Sequence, residues 1–369
     1  MHHGSIKVKD ELLQRGSWLL RLHGRHLKEY RGHALQKSDK GSWVKFNSHG
    51  RVMLDPATLT HLRPMNNNLV PRIQTQMRRK DLTDEEILMV NPLLYGFSFG
   101  DKTWGAFSYA QIHDVEWKDT IIDSLVLPQE KKDFIQVLIK THGRQSPGGS
   151  FDDIVIDKGK GLVGLLVGTP GVGKTLTAEV MAEVSHKALY TISSGELGED
   201  SLKVMSRLSQ VMELAETWDA VLVLDEADVF LTERDNTNLY RNAITSVFLR
   251  HLEYYQGTML LTTNRLASFD PAFQSRIHFC IEYPRLTVEA RAGIWKIFLA
   301  KVADANILDV SVDDADVRAL AELELNGRQI KNTMSLSRTF ALERQQSITL
   351  ESIQKAISFS QSGWNVTET

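Results

Sequence analysis

Residues 161–184 read GLVGLLVGTPGVGKTLTAEVMAEV and combine three kinds of local pattern. The opening GLVGLLV is a short apolar run that suits a buried strand, and the closing KTLTAEVMAEV spaces its apolar residues as a helix does. Between them, GTPGVGKT (168–175) matches G-x-x-x-x-G-K-[ST], whose glycines let successive backbone N–H groups point at phosphate oxygens. In this motif Lys174 is expected to bind the β- and γ-phosphates, and the Thr175 hydroxyl is expected to ligate Mg²⁺. The stretch therefore predicts a strand, a loop and a helix that bind a nucleoside triphosphate.

The composition is that of a globular chain. Of its 369 residues, 42% are hydrophobic and 24% are charged, which allows two or three domains. No apolar run reaches the roughly 18 residues of a bilayer span, and MHHGSIKVKDELL lacks the apolar segment of a secretory signal. The single cysteine, Cys280, excludes an internal disulfide, and its neighbours in IHFCIEY predict a small buried side chain. The histidines show no metal-ligand spacing. We therefore expect an intracellular protein, cytoplasmic or nuclear, without a transmembrane segment.

The net charge of −3 hides an uneven distribution. Residues 1–80 contain 16 Lys and Arg against 5 Asp and Glu, a balance of +11, and the remainder contains 27 against 41, a balance of −14. One hypothesis is an arm for nucleic acid or another anionic partner. We favour the other, that the basic segment packs on the chain's own acidic domain, because no aromatic-basic nucleic-acid module is recognisable there.

The pattern along the chain predicts three parts. Residues 1–112 read as a mixed segment and bridge, β-rich from residue 10 to 60, with one short helix at TDEEILMV. Residues 113–285 contain a helix at LPQEKKDFIQVLIKTH, a linker-like GRQSPGGS, and then alternating strands and helices. Residues 286–369 read as a helical subdomain in which the strands stop. The predicted strands of the middle part are 162–167, 188–193, 220–225, 258–263 and 277–282, and the helices between them are 174–186, 201–217 and 240–254. This alternation predicts an α/β fold with a parallel sheet covered by helices.

Acidic and amide side chains follow two of these strands. AVLVLDEADVF (220–230) ends its apolar run in Asp225 and Glu226, and the strand in TMLLTTNR (258–265) is followed by Asn264. Because the carboxyl ends of parallel strands form the ligand-binding edge of a sheet, we expect these side chains beside the phosphate loop. Asp225 would hold Mg²⁺, Glu226 would polarise the attacking water, and Asn264 would touch the γ-phosphate and that water. An Asp-Glu pair favours hydrolysis over transfer to an organic acceptor, since water needs a base.

In their order and spacing, the phosphate loop, LVLDEAD, LLTTNR, DPAFQSRIHF and the helical C-terminal part resemble the AAA+ ATPases. The longer runs GKGLVGLLVGTPGVGKTLTAEV, ETWDAVLVLDEADVFL and RNAITSVFLRHLEYYQG, with GFSFGDKTWGAF upstream, resemble more closely a fungal AAA-type ATPase group of poorly defined function. In that group an uncharacterised N-terminal domain precedes the AAA core. The resemblance covers essentially the whole chain. It implies ATP and Mg²⁺ as ligands, hydrolysis of ATP to ADP and phosphate, and a three-layer P-loop core with a C-terminal helical lid and a smaller mixed α/β N-terminal segment.

The resemblance also implies roles for residues outside these motifs. Arg276, in FQSRIH, matches the arginine finger that reaches the γ-phosphate of a neighbouring subunit, with a surface loop arginine as the alternative. Arg328, in NGRQIKN, matches a sensor arginine at the start of a lid helix, with a solvated helix-end arginine as the alternative. Val155 and Ile156, in DIVID, match the adenine pocket. The predicted nucleotide-binding residues are Gly168, Thr169, Pro170, Gly171, Val172, Gly173, Lys174, Thr175, Leu176, Val155 and Ile156. The predicted metal ligands are Thr175 and Asp225, and the predicted catalytic residues are Glu226, Asn264, Arg276 and Arg328.

One segment departs from the family pattern. Many protein-remodelling AAA proteins place an aromatic-apolar-Gly pore loop after the second strand, where this chain reads ISSGELGEDSLKVM (192–205) without an aromatic residue. Leu197 and Gly198 are the nearest equivalents, and three acidic residues stand beside them. The loop can line a pore, but threading by aromatic side chains is not predicted.

Together with these patterns, the resemblance implies a Mg²⁺-dependent ATPase of the AAA+ type that forms a homo-oligomeric ring, expected to be a hexamer, and remodels an unidentified protein partner. Two other hypotheses stay open. A nucleic-acid motor or clamp-loader-like protein would show salt-dependent DNA binding and DNA-stimulated hydrolysis. A nucleotide-dependent assembly scaffold would bind ATP, assemble and hydrolyse slowly.

Overall fold

The computed structural model of the chain describes residues 2–22, 24–38, 41–62, 82–142, 161–198, 201–233, 239–264, 269–304 and 308–361. The chain forms two compact units, which divide between Trp117 and Lys118. The domain boundaries expected from the sequence, at residues 112 and 285, stay predictions. None of the helices in the described ranges combines the length and the apolarity that a bilayer crossing requires.

In its described residues, the N-terminal unit is an antiparallel sheet with three helices. Its elements are α1 (His2–Arg21), β1 (His26–Lys37), β2 (Trp43–Leu54), α2 (Pro56–Leu62), α3 (Asp84–Leu88), β3 (Leu93–Ser98), β4 (Thr103–Ser108), a 3₁₀ turn (Tyr109–Gln111) and β5 (Ile112–His113). The strand order is β2-β3-β4-β1-β5, and β1 also pairs with β2, so that β1 to β4 close on themselves. Tyr30, Val52, Leu54 and Phe107 fill the interior of this unit.

Helix α1 contradicts the expectation that the chain is β-rich from residue 10. Gly16, Leu19 and Leu22 are buried, and their spacing of three residues forms one face of a helix. Gly16 lies so close to α3 that a Cβ atom there would stand 2.2 Å from the carbonyl oxygen of Ile87. The apolar-polar alternation in SWLLRL was too short to distinguish a strand from a helix. The short helix expected at residues 83–90 is confirmed as α3, and Thr83 caps its N-terminus.

The second unit contains a parallel sheet followed by a helical part. Its elements are a 3₁₀ turn (Asp119–Ser124), α4 (Gln129–His142), β6 (Leu162–Gly168), α5 (Lys174–Val184), β7 (Leu189–Ser193), α6 (Ser194–Leu197), α7 (Ser201–Thr217), β8 (Val221–Asp225), α8 (Asp228–Leu231), α9 (Leu239–Tyr254), β9 (Thr258–Thr263), a 3₁₀ turn (Pro271–Phe273), β10 (Phe279–Tyr283), α10 (Val288–Asp304), β11 (Val310–Ser311), α11 (Asp314–Glu322), α12 (Gly327–Arg344), β12 (Ile348–Thr349) and α13 (Leu350–Gln361). The sheet order is β10-β6-β9-β8-β7, and every neighbouring pair is parallel. The predicted α/β fold is confirmed.

The inner strands of the sheet are buried on both faces and therefore require helices on both sides. Every residue from 162 to 167 in β6 and from 258 to 263 in β9 is buried, as expected for strands covered on both faces. Helices α4 and α5 supply Ile135, Ile139, Ala178 and Met181 to one face. The carboxyl ends of β6, β8 and β9 lie at the same edge of the sheet. The residues that follow these three strands therefore lie close to one another.

The helical part packs α10 to α13 around its own core, which includes Trp295, Leu320, Ile330 and Ile353. The expectation that strands stop after Pro284 is wrong in one detail. Val310–Ser311 pairs in parallel with Ile348–Thr349. Two residues per strand leave no periodic pattern that the sequence could reveal.

Two side chains differ in burial from what the sequence indicated. Cys280 was expected to be buried, but it is exposed, because β10 is an edge strand whose residues alternate between buried and exposed. Leu197, the nearest equivalent of a pore-loop residue, is only 1% exposed and belongs to α6. The neighbouring Glu196 carboxylate accepts hydrogen bonds from the backbone N–H (2.7 Å) and the hydroxyl (3.1 Å) of Ser193. Leu197 is therefore not placed to grip a polypeptide. Glu199 and Asp200 lie outside the described residues.

Candidate nucleotide-binding site

The phosphate loop joins β6 to α5 and contains two glycines in the left-handed region of backbone conformation. Gly171 has φ +79° and Gly173 has φ +109°, values that a residue with a Cβ rarely adopts. Gly173 is the N-cap of α5 and precedes Lys174 directly. The first N–H groups of a helix lack partners within the helix and carry the positive end of its dipole. The loop therefore leads into a helix end that suits an anionic ligand.

Lys174 lies at the centre of the site and is only 8% exposed. Its ammonium donates to the carbonyl oxygens of Gly168 (2.7 Å) and Thr169 (3.0 Å), and to Oδ1 of Asn264 (2.8 Å). Burial lowers the pKa of Lys174, the carboxylate of Asp225 opposes that effect, and the positive charge of Arg328 adds to it. The structure thus brings Lys174, Asn264, Asp225 and Arg328 to one place.

The acidic residues follow β8 directly. Asp225 is the last residue of the strand, and its Oδ1 accepts a hydrogen bond from the hydroxyl of Thr262 on β9. The next residue, Glu226, is exposed, and its backbone N–H donates to the same Thr262 hydroxyl oxygen (3.1 Å). Sequence reasoning missed Thr262. The two threonines between the apolar run and Asn264 in LLTTNR were the signal for it.

A second pair of residues that the sequence did not single out supports the phosphate loop. The Tyr283 hydroxyl donates to Oγ1 of Thr177 (2.6 Å), and the Thr177 hydroxyl donates to the carbonyl of Gly173 (3.1 Å). Burial raises the pKa of Tyr283 to about 12, so its hydroxyl keeps the proton that it donates at neutral pH. This chain of hydrogen bonds links the end of β10 to the N-cap of α5.

The N-terminus of α12 meets the tip of the phosphate loop. The backbone N–H of Gly327 donates to the carbonyl of Gly171 (2.9 Å). A Cβ atom at Gly171 would lie 2.6 Å from Oδ1 of Asn326, the N-cap of α12. Arg328 is the second residue of this helix and is exposed. The helical part of the chain therefore contributes to the same site as the sheet.

Arg276 is placed differently from the other predicted residues. Its guanidinium donates to the carbonyls of Leu249 (3.1 Å) and Ala272 (2.9 Å), and it pairs with Glu253 at 3.3 Å. Leu249 and Glu253 belong to the last turns of α9. Among the described residues, no hydrogen bond joins Arg276 to Lys174 or its partners. Val155 and Ile156, the predicted adenine contacts, lie outside the described residues.

The ligands near the phosphate loop are suited to Mg²⁺, an ion that also takes water and phosphate oxygens as ligands, and not to a metal ion that is bound by protein side chains alone. In the described parts of the chain, no group of three or more His, Cys, Asp or Glu side chains could hold a metal ion. The Thr175 hydroxyl and the Asp225 carboxylate are oxygen donors, and Mg²⁺ takes one or two such ligands together with water and substrate phosphates. These two residues therefore fit the ion that a phosphate loop uses.

Comparison with known proteins agrees with this geometry. The model of the family "ATPase family associated with various cellular activities (AAA)" matches residues 164–285. Residues 164–285 form an AAA domain. This segment contains the phosphate loop, Asp225, Glu226, Asn264 and Arg276, and Arg328 lies beyond it. The prediction of an AAA domain is confirmed, and the closer resemblance to a fungal group stays a prediction.

Three curated proteins are similar to parts of this chain. The chain is 28% identical over 221 residues to a 26S proteasome regulatory subunit 4 homolog from Oryza sativa subsp. japonica, a match that covers 56% of this chain and 47% of that protein. It is 25% identical over 307 residues to a proteasome-activating nucleotidase from Archaeoglobus fulgidus, covering 78% and 70% of the two chains. It is 30% identical over 195 residues to a nucleotidase of the same name from Sulfurisphaera tokodaii, covering 49% and 48%. The chain thus spans about half the length of the rice protein.

Proposed function

We propose that this chain is a Mg²⁺-dependent ATPase that hydrolyses ATP to ADP and phosphate. The observation that carries this proposal is the 2.8 Å hydrogen bond between Lys174 and Asn264 at the carboxyl edge of the sheet. It joins the phosphate loop to the residue after β9, directly beside the strand that ends in Asp225 and leads into Glu226. A cation for phosphates, an amide and two carboxylates at one edge are the groups that phosphoryl transfer to water requires.

Each residue has a separable role in this proposal. The N–H groups of α5 and the ammonium of Lys174 bind the phosphates, whose oxygens take over hydrogen bonds that the ammonium makes to Gly168 and Thr169. Thr175 and Asp225 would hold Mg²⁺, which would neutralise charge on the phosphates. Glu226, exposed at the end of the strand, accepts the proton of the attacking water, and Asn264 orients that water and the γ-phosphate.

We further propose a homo-oligomeric ring, a hexamer by analogy, that remodels a protein partner in the cytoplasm or nucleus. The names of the relatives, a proteasome regulatory subunit and proteasome-activating nucleotidases, support a protein substrate. Arg276 lies against the end of α9 and is bonded to neither Lys174 nor Asn264 in the described chain, which supports a finger that serves a neighbouring subunit. In that role its guanidinium would exchange its partner Glu253 for the γ-phosphate. The buried Leu197 supports a remodeller that does not thread its substrate by a grip at that position. The resemblance to the fungal group belongs to the same proposal.

The nucleic-acid hypothesis is less well supported by the described basic residues. In the N-terminal unit, Arg25 pairs with Asp55 at 3.1 Å. Lys28 pairs with the Asp114 carboxylate. Cations that already have carboxylate partners contribute less to phosphate binding. Five of the 16 basic residues of this part of the sequence fall between residues 63 and 81, outside the described chain.

The proposal is tested by measuring ATP binding and phosphate release for the purified chain with Mg²⁺. Lys174→Ala should abolish ATP binding, because the site loses the buried cation that faces the phosphates. Lys296→Ala is the matched control, since Lys296 is an exposed lysine that pairs with Asp314 in the helical part and should leave ATP binding unchanged. Wild-type ATP affinity in Lys174→Ala would rule out the assignment of the phosphate loop.

A further inference from the structure

Glu226 has an unusual backbone conformation. Its φ is +56°, in the left-handed region that residues with a Cβ seldom occupy. A non-glycine residue stays there only when neighbouring groups hold it. Two backbone hydrogen bonds do so: the N–H of Glu226 donates to Oγ1 of Thr262 (3.1 Å), and the N–H of Ala227 donates to the carbonyl of Thr262 (2.8 Å). Both bonds end on the same residue of β9.

The Thr262 hydroxyl holds Asp225 as well. A threonine hydroxyl has one proton to donate and lone pairs to accept. Here the proton goes to Oδ1 of Asp225, and the oxygen accepts from the backbone of Glu226. Thr262 is 1% exposed, so water does not compete for these bonds. The parallel pairing of β8 with β9 places Leu224 beside Leu261, so that Thr262 comes next to Asp225.

We propose that Thr262 is a positioning residue for ATP hydrolysis, an inference that rests on the proposed ATPase function. Its hydroxyl fixes the carboxylate of Asp225 and, through the left-handed turn, directs Glu226 toward the edge of the sheet. Neither of the two hydrogen bonds of the Thr262 hydroxyl, to Asp225 and from Glu226, involves a residue of the phosphate loop. Loss of the hydroxyl therefore lowers the rate of the chemical step more than it lowers the affinity for ATP.

Three substitutions in β9 test this role. Thr262→Val keeps the shape of the side chain and removes the hydroxyl, whereas Thr262→Ser keeps the hydroxyl. Thr258→Val makes the same change at a buried threonine at the other end of the same strand. For each purified chain, kcat and KM for Mg²⁺-ATP, the affinity for a non-hydrolysable ATP analogue and the melting temperature are measured.

We expect kcat of Thr262→Val to fall by about 10-fold or more, the effect of roughly one hydrogen bond lost from the transition state, with analogue affinity retained. Thr262→Ser and Thr258→Val should keep kcat near the wild-type value. The role is overturned if kcat of Thr262→Val is unchanged, if Thr262→Ser or Thr258→Val loses as much activity, or if analogue affinity falls in parallel with kcat.

A crystal structure of Thr262→Val provides a readout that does not depend on activity. The positioning role predicts that Glu226 leaves the left-handed region and that the Asp225 carboxylate turns. An unchanged backbone at Glu226 together with an unmoved Asp225 carboxylate would overturn it. If the wild-type chain binds ATP but hydrolyses none, the proposed function has failed, and this structure still decides whether Thr262 holds the two acidic residues.

Discussion

Glu226 occupies a left-handed backbone conformation in the turn between β8 and α8. In the described chain, the other non-glycine residues with positive φ are Lys102, His186, Asp219 and Gln345. Like those four residues, Glu226 lies in a turn, and its turn directly follows the last residue of β8. Its conformation directs a carboxylate out of the sheet edge. Strain of this kind at a proposed catalytic residue is expected when the surrounding structure holds it in place.

This strain predicts an unusual order of stability among variants. A left-handed residue with a Cβ costs about 1 kcal/mol more than glycine, so Glu226→Gly should be more stable than Glu226→Ala by about that amount in urea unfolding. Ala227, with φ −67°, is the control, and Ala227→Gly should lose stability. Equal stability of the Glu226→Gly and Glu226→Ala variants would show that residue 226 is not left-handed in solution.

At the scale of elements, the phosphate loop depends on contacts from outside the strand and helix that it joins. The hydroxyl of Tyr283, at the end of β10, reaches Thr177 on α5, and Thr177 reaches the carbonyl of Gly173. The N-terminus of α12 donates to Gly171 from the helical part. Two elements that are distant in sequence from the loop, β10 and α12, therefore help to determine its shape.

Tyr283→Phe should weaken ATP binding as well as the fold. The Thr177 hydroxyl would lose a buried partner, which should lower the free energy of unfolding by about 1 kcal/mol and raise the Kd for ATP. Tyr30→Phe is the matched control, because the Tyr30 hydroxyl is a buried donor to the carbonyl of His33 in the N-terminal unit. That variant should lose stability and keep its ATP affinity. An unchanged Kd for ATP in Tyr283→Phe would contradict the supporting role.

The sequence predicted those elements whose physical cause is local. Parallel strands covered on both faces appear as apolar runs, and this is why the inner strands β6, β8 and β9 lie within one residue of their predicted positions. The phosphate loop was predictable because its glycines and its lysine lie within one short segment, GTPGVGKT. Cys280 was misjudged because its exposure depends on β10 being an edge strand, which is a property of strand order. Thr262 was missed because its role depends on the register between β8 and β9.

At the scale of the whole molecule, the proposed ring depends on Arg276. Its guanidinium lies against the end of α9, paired with Glu253, whereas the groups around Lys174 come from the sheet edge and from α12. An arginine that assists hydrolysis in a neighbouring subunit need not contact the phosphate loop of its own chain. The proposal therefore makes a prediction about mixtures of subunits.

Arg276→Ala should bind ATP and lose hydrolysis, because a permanent cation no longer stabilises charge on the transferred phosphoryl group. Mixed with Lys174→Ala, which is also expected to be inactive, it should recover activity at junctions where an intact loop meets an intact arginine. Arg250→Ala, at an exposed arginine on α9, is the control and should hydrolyse ATP without complementation. Mixtures that co-assemble by light scattering and stay inactive would contradict action between subunits.

The central claim is that one edge of the sheet binds ATP through Lys174 and hydrolyses it through Glu226. The most direct test measures ATP affinity and single-turnover phosphate release, with Mg²⁺, for the wild-type chain and Glu226→Gln. The amide keeps the size of the side chain and cannot accept a proton from water. We expect unchanged ATP affinity and phosphate release slowed by at least roughly 10²-fold, the typical effect of a lost general base. Phosphate release at the wild-type rate, or an equal loss of binding and hydrolysis, would contradict it.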